Sequence, residues 1–469
     1  MRLLKISPRY KTMSRVREWR ACVLTCIALS SGCATYKPQP LGEGQGIKDA
    51  SQLSVNTADM PLPTWRTHRF DLSQGLDVTD VAILAVANNP DLKVMRDQLG
   101  IARAQSFAAG LLPDPQIAIG RDFLTHKQVG FTSAYNYGIS EDVSSLLTRS
   151  MRKAAARNQA DQVNLDLLWA EWQTIAQARL LFNQVASLRA QQKQLAAEQT
   201  ALASVDGYVR KALRQGNLTD DSASAGVSAY TDASKRLSDC TLQLHRAEHD
   251  LRLLLGLAPD VPLQLVGDPF HVSPTPEQVQ AALASLPQRR PDLLALQAGY
   301  KAQEASVRAA IRAQFPALNV GVDRQRDTSD IVTNGFTLGL TLPLFDRNRG
   351  NIAIETATRQ QLKDDYDNRV LTTRSDIQQL VADLDTLAAQ RDRLESQARR
   401  LDQARHVAEA AWQQGLLDWP TYLSIRGNAL VADMDVIAAR DQQSQQAIAL
   451  ETLLGDTDLQ PSSVATTRP

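Results

Sequence analysis

Thr333 to Gln360 reads TNGFTLGLTLPLFDRNRGNIAIETATRQ, and it joins two periodicities. Up to Leu344, bulky residues alternate with small or polar ones. Phe336, Leu338, Leu340, Leu342 and Leu344 fall on one side, with Thr337, Gly339, Thr341 and Pro343 on the other. Such alternation is a strand signal. The small side has too little volume for a core layer, so the two faces must meet different surroundings. Beyond a corner at Asp346 to Gly350, the chain becomes polar and alanine-rich, which opens a long helix.

The chain repeats itself. Asn89-Pro90-Asp91-Leu92 recurs as Arg290-Pro291-Asp292-Leu293. Each opens an alanine-rich helix that stops at a proline, Leu112-Pro113 in one half and Phe315-Pro316 in the other. Two strand candidates and a long helix follow, then Gln215-Gly216 against Gln414-Gly415, and Leu254-Leu255-Gly256 against Leu453-Leu454-Gly455. The offset stays near about 200 residues, the mark of one unit written twice. The expected layout is a signal segment over 1–32, an anchor and extended linker over 33–69, and a first unit over 70–260. A linker over 261–276, a second unit over 277–455 and a polar tail over 456–469 complete it. Strands are expected at about 116–142 and 317–344, and helix-hairpin tips at about 215–220 and 414–420.

The strands share a pattern. Ile117, Ile119, Tyr135, Tyr137, Ile139, Leu318, Val320 and Val322 take one face. Ala118, Gly120, Asn136, Gly138, Ser140, Asn319, Gly321 and Asp323 take the other. Strands of about nine to eleven residues, apolar outside and small or polar inside, fit a transmembrane barrel; a soluble sandwich would instead hide the apolar face in a core. Four strands cannot close a barrel, and an open edge is not tolerated in lipid. A barrel must therefore belong to an oligomer.

The whole chain agrees with an exported, helix-rich protein. It has 469 residues, with 51 Lys plus Arg against 51 Asp plus Glu, and only 5% aromatics. No basic stripe points to nucleic acid. Arg15, Arg17 and Arg20 precede an apolar run from Ala21 to Cys33, too short to span a bilayer and right for a signal peptide. Its ending, SSGC, resembles a bacterial lipobox with Cys33 as the lipidated first residue, although Ser30 stands where Leu is usual; a plain signal peptide is the alternative. Cys22 and Cys26 fall inside the removed part, leaving Cys240 beside Cys33 and no disulfide framework.

No proline interrupts Met151 to Arg214. Leu165, Leu168, Trp172, Ile175 and Phe182 follow a 3-4 spacing. So do Ile377, Leu380, Leu384, Leu387, Leu394, Ala398 and Leu401, with Arg391 interrupting. That spacing packs helices as coiled coils. Gly216 and Gly415 end the long helices, and Thr219-Asp220-Asp221 and Asp418-Trp419-Pro420 start the next ones.

With the doubled Pro-Asp-Leu, the two proline-led hairpins, TLPLFDRNRGNIA at Thr341 to Ala353 and the paired glycine turns, the chain resembles the TolC family of outer-membrane efflux channels over about Phe70 to Gly455. The resemblance implies a mainly α fold with a small β part: homotrimers with a twelve-strand membrane barrel on a twelve-helix periplasmic tunnel. It implies a passive exit duct with no active site and no cofactor. The implied partners are a periplasmic adaptor, an inner-membrane pump such as an RND transporter, and outer-membrane lipid. LPDP at Leu112 to Pro115 and PLFDRNRGNI at Pro343 to Ile352 look most like the heavy-metal, CzcC-like branch. The family's gate, carried over by position, falls on Asp220 and Asp221 in the first unit and on Asp418 and Trp419 in the second. Thr421 and Ser424 stand where further aspartates can occur, and the same acids also suit plain helix starts. A type I secretion duct and a pore-free periplasmic coiled coil are the alternative readings.

One catalytic-looking motif is declined. His245-Arg246-Ala247-Glu248-His249 has the H-x-x-E-H form of some zinc proteases, but a third ligand and a cleft are not identifiable. Ser444 and Ile448 occupy the matching places in the second unit. Without a nucleophile elbow, Walker loop or CxxC pair, the chain reads as a non-enzyme with no metal of its own.

Overall fold

The computed structural model describes residues 35–42, 44, 46–49, 75–126, 129–267 and 274–455, except the side chains of residues 220–222. The expectations placed on the signal segment, on Cys33 and most of the linker, and on the tail fall outside the described residues. Residues 1–45 form a unit of their own, irregular and exposed over 35–42 and 44. The second unit spans Gly46–Pro469.

The fold is mainly helical with one small sheet. The elements are α1 (Val78–Asn88), α2 (Pro90–Ala109), β1 (Gln116–Asp122), β2 (Ala134–Asp142), α3 (Val143–Arg214) and α4 (Asp220–Leu254). The same order then recurs as α5 (Pro276–Arg289), α6 (Pro291–Arg312), β3 (Ala317–Arg326), β4 (Val332–Thr341), α7 (Arg349–Gln413) and α8 (Trp419–Leu454). At 72 and 65 residues, α3 and α7 rise about 108 and 98 Å at 1.5 Å per residue. No helix among the described residues is long and apolar enough to cross a membrane.

The long helices are flanked by shorter ones in relay. Nearer the strands, α3 packs against α2 and α6; farther along it packs against α4 and α8. Likewise α7 packs against α6 and then α8. Apart from α1, which packs against α3, and α5, which packs against α6 and α8, each level holds four helices: α2, α3, α6 and α7 near the strands, then α4, α3, α8 and α7 near the tips.

The doubled Pro-Asp-Leu motif makes the joints of this relay. Asn89 caps α2 by accepting from the Leu92 amide at 3.0 Å. Its own amide donates to the Leu254 carbonyl at the end of α4, 3.2 Å away. In the second half Arg290 reaches the Leu453 carbonyl at 3.4 Å, grips Asp292 at 2.7 Å and lies 4.8 Å over the Trp169 ring. Proline at the first helical position needs no amide partner, so the preceding side chain is free to satisfy a neighbour's last turn. The capping residues differ, yet both serve a carbonyl of the helix closing their own half.

Both long helices stop alike. Gly216 and Gly415 have φ of 75° and 72°, the left-handed conformation glycine adopts without strain. The Asn217 amide returns to the Ala212 carbonyl at 2.9 Å and the Leu416 amide to Ala411 at 2.8 Å, closing a Schellman motif in each.

The 3-4 spacing does pack. Trp172, Ile175 and Phe182 on α3 are buried with Leu244 and Leu251 of α4 in the largest apolar cluster. Ile377 is buried with Leu293, Leu450 and Leu454. Arg391, which interrupts the seam, instead donates to Gln443 of α8 at 3.0 Å.

Candidate functional site

Two places combine unusual chemistry with defined geometry: the sheet and the helix tips. The sheet runs β1-β2-β3-β4, antiparallel throughout, so among the described residues β1 and β4 are both free edges. Ile117, Ile139, Val322 and Phe336 stand opposite one another across it. Leu338 faces Val320, and Leu340 faces Leu318. Opposed residues share a face, so the apolar residues form one continuous surface. It is bare: Ile119 is 74% exposed, Phe336 70% and Leu338 53%.

The other face is small and polar for a reason visible in the register. Gly335 lies between Asp323 and open space, and a Cβ there would come within 2.6 Å of the Asp323 carboxylate. Thr337 donates to the same carboxylate at 3.3 Å. A Cβ on Gly120 would collide with the Asn136 amide directly opposite. Glycines here make room for polar side chains lying across the neighbouring strand.

The strand of the opening stretch is shorter than its alternation. β4 stops at Thr341, so Leu342 and Leu344, although 60% and 65% exposed, lie past its end. Pro343 cannot donate to a ladder, which is why pairing ends there. The corner then passes through Arg347 and Asn348, both at positive φ, and the Asn348 amide donates to the Ala310 carbonyl of α6 at 2.8 Å.

At the tips, Asp418 caps α8. Its carboxylate accepts from the Thr421 amide at 2.8 Å and from the Thr421 hydroxyl at 3.1 Å. Those bonds, led by the amide, hold it below the usual carboxylate range. Trp419 is 7% exposed and packs in a cluster with Val205, Val209, Ala223 and Tyr422. Asp220 and Asp221 begin α4, and their side chains lie outside the described residues.

Sequence reasoning missed the residues that tie the two tips together. Arg426 of α8 donates to Glu198 of α3 at 2.7 Å and to the Tyr422 hydroxyl at 3.0 Å, all three side chains buried. Tyr422 stacks on Trp412 at 4.8 Å, and Tyr208 meets Trp412 edge-on at 6.4 Å. Burial pushes the Glu198 carboxyl up, while Arg426 pulls it back. Arg426 sits one turn beyond Tyr422, a faint signal, but its acid lies 228 residues away in sequence.

The His245–His249 motif gains no geometry. Both histidines are exposed, and Glu248 is engaged by Arg189 at 2.8 Å and Arg252 at 3.4 Å. Among the described residues no group of three His, Cys, Asp or Glu side chains could hold a metal.

Residues 282–456 match the family described as outer membrane efflux protein. The chain is similar to the multidrug resistance outer membrane protein MdtQ of Escherichia coli O6:H1, 24% identical over 391 residues, which covers 72% of this chain and 78% of that protein. It is also similar to the cobalt-zinc-cadmium resistance protein CzcC of Cupriavidus metallidurans, 24% identical over 229 residues, covering 48% and 54%. Its fold is that of the Campylobacter jejuni CmeC outer membrane channel, with a TM-score of 0.71 at 14% identity over 92% of this chain and 95% of that one.

Proposed function

We propose that this chain, which carries an outer membrane efflux protein domain, is one subunit of a trimeric outer-membrane exit duct in an efflux system. One observation carries the reading: a four-stranded sheet, apolar and bare on one face, polar on the other, and open at both edges. Three copies joined β1 to β4 close a barrel of twelve strands, an even number within the membrane-barrel range. The helix layer, four wide, closes the same way into a tunnel of twelve helices. Phe336, Leu338 and Leu340 then face lipid, with Leu342 and Leu344 at the rim toward the helices. Asp323, Asn136 and Thr337 face water.

In this reading Cys33 carries the lipid anchor, and the two units and linkers divide as expected from the repeat. Asp220, Asp221 and Asp418 ring the tunnel at its narrow end, with buried Trp419 fixing the start of α8 rather than lining the passage. A carboxylate ring favours cations over anions, in keeping with heavy-metal cargo and with the similarity to the cobalt-zinc-cadmium resistance protein CzcC. No nucleotide-binding loop is present, so the energy comes from an inner-membrane pump of the RND kind, delivered through a periplasmic adaptor.

The test is membrane fractionation followed by planar-bilayer recording. A heat-sensitive oligomer from the outer membrane that conducts supports the duct; a soluble monomer without conductance overturns it. Asp220→Asn with Asp221→Asn is expected to raise conductance or weaken divalent-cation block. Unchanged conductance and block would remove the gate from these two residues.

A further inference from the structure

The bare face of the sheet is apolar along most of its length and then, at the hairpin-loop end, abruptly basic. The register sets Arg121, Tyr135 and Arg326 side by side, and Arg324 beside Tyr137 in the next row. Strand spacing puts Arg121 and Arg326 about 10 Å apart, with Arg324 about 7 Å along β3 from Arg326. All three arginines lie on the apolar face. The sheet's acids at this end, Asp122 and Asp323, lie on the other, Asp122 opposite Ala134 and Asp323 opposite Gly335. Arg326 is partly committed, to Asp330 at 2.5 Å and to Thr132 at 3.1 Å. Arg121 stands 5.1 Å over the Phe123 ring. Among the described residues neither Arg121 nor Arg324 has an ion-pair partner, and both are exposed.

We propose that Arg121, Arg324 and Arg326 form a rim that binds the phosphates of lipid headgroups on the loop side of the membrane. This rests on the barrel reading above. An arginine facing lipid costs about 2–4 kcal/mol at the midplane and close to nothing at the interface, so three on this face mark headgroup level. There the planar guanidinium fork matches a phosphate in two-point fashion. Tyr135 and Tyr137, with ring centroids 5.1 Å apart, occupy the belt where tyrosine hydroxyls meet headgroups. The helix end of the same face carries Glu141 opposite Val320 and no arginine in β1 to β4. The rim is therefore one-sided, and its occupant is the anionic lipid of one leaflet.

The test uses full-length protein reconstituted into phosphatidylcholine vesicles with or without one-fifth phosphatidylglycerol. Spin-labelled phosphatidylglycerol and phosphatidylcholine report the relative association of each lipid. Wild type is expected to prefer the anionic lipid about fivefold, the size of one basic side chain near a charged surface. Arg121→Gln with Arg324→Gln is expected to bring that ratio close to one, and Thr337→Gln on the opposite face to leave it unchanged. A wild-type ratio of one, or a ratio equal in the double variant, overturns the inference. Loss of the preference in excess inorganic phosphate, but not in chloride of equal ionic strength, overturns the assignment to lipid in favour of a free-anion site. Flotation separates these outcomes from failure of the barrel reading: protein that floats with neither vesicle type refutes the membrane location itself.

Discussion

Asp418, proposed above for the gate, answers first to local chemistry as the cap of α8. Its carboxylate is held below the usual range by the Thr421 amide. A depressed folded value means its contribution is present above the ordinary Asp value and is lost as pH falls through the folded one. Asp418→Ala should therefore speed hydrogen exchange over residues 419–422 at neutral pH. Relative to intrinsic rates, the gap from wild type should close in acid below the ordinary Asp value; a gap independent of pH would count against the cap. Gly415→Ala tests the other side of the tip, because φ of 72° strains any Cβ. The expected loss is about 1 kcal/mol, read from a lower denaturation midpoint. The cap and the glycine were both legible in the sequence, since each acts on its own backbone. Burial of Trp419 was not, because its pocket is built from α3, α4 and α8.

Between elements, the decisive contact is the buried Arg426–Glu198 pair that fastens α8 to α3. Removing one member leaves the other charge stranded, so Arg426→Ala should cost about 3 kcal/mol. Glu198 already has a raised carboxyl through burial, and losing Arg426 raises it further. A raised folded value favours the protonated form, so the stability it contributes is present at low pH and lost as pH rises through that value. The cost of Arg426→Ala should shrink on acidification from pH 8 toward the ordinary glutamate range, as measured by thermal melts of the protein. An equal deficit across that range would show that the arginine acts through packing alone. The joints at Asn89 and Arg290 belong to the same scale. Their Pro-Asp-Leu motif was plain in the sequence, but its work is done on carbonyls 165 and 163 residues away. A motif reveals its own turn; it does not reveal whose last turn it serves.

At the scale of the molecule, the proposed duct closes the sheet and the helix layer in the same way, by adding copies at their edges. The two faces of the sheet should respond oppositely to charge. Leu338→Lys places a cation on the apolar face, which in the proposed barrel is expected to cost about 2–4 kcal/mol on insertion and to deplete the protein from the membrane fraction. Thr337→Lys, one residue earlier and on the polar face, should assemble normally; equal yields for the two variants would refute the lipid-facing assignment. Alternation alone determined which residues share each face, because a strand's side chains have period two and the polypeptide enforces it. Helix starts and stops were likewise written locally, in glycines, prolines and capping acids. Only the tertiary structure decided where β4 ends, which glycines leave room for Asp323 and Asn136, and how two short helices in relay flank one long helix. It also placed the arginines of the apolar face at one end and joined Glu198 to Arg426. Those depend on contacts between segments far apart in the chain, and neither a residue's type nor its local spacing encodes its distant partner.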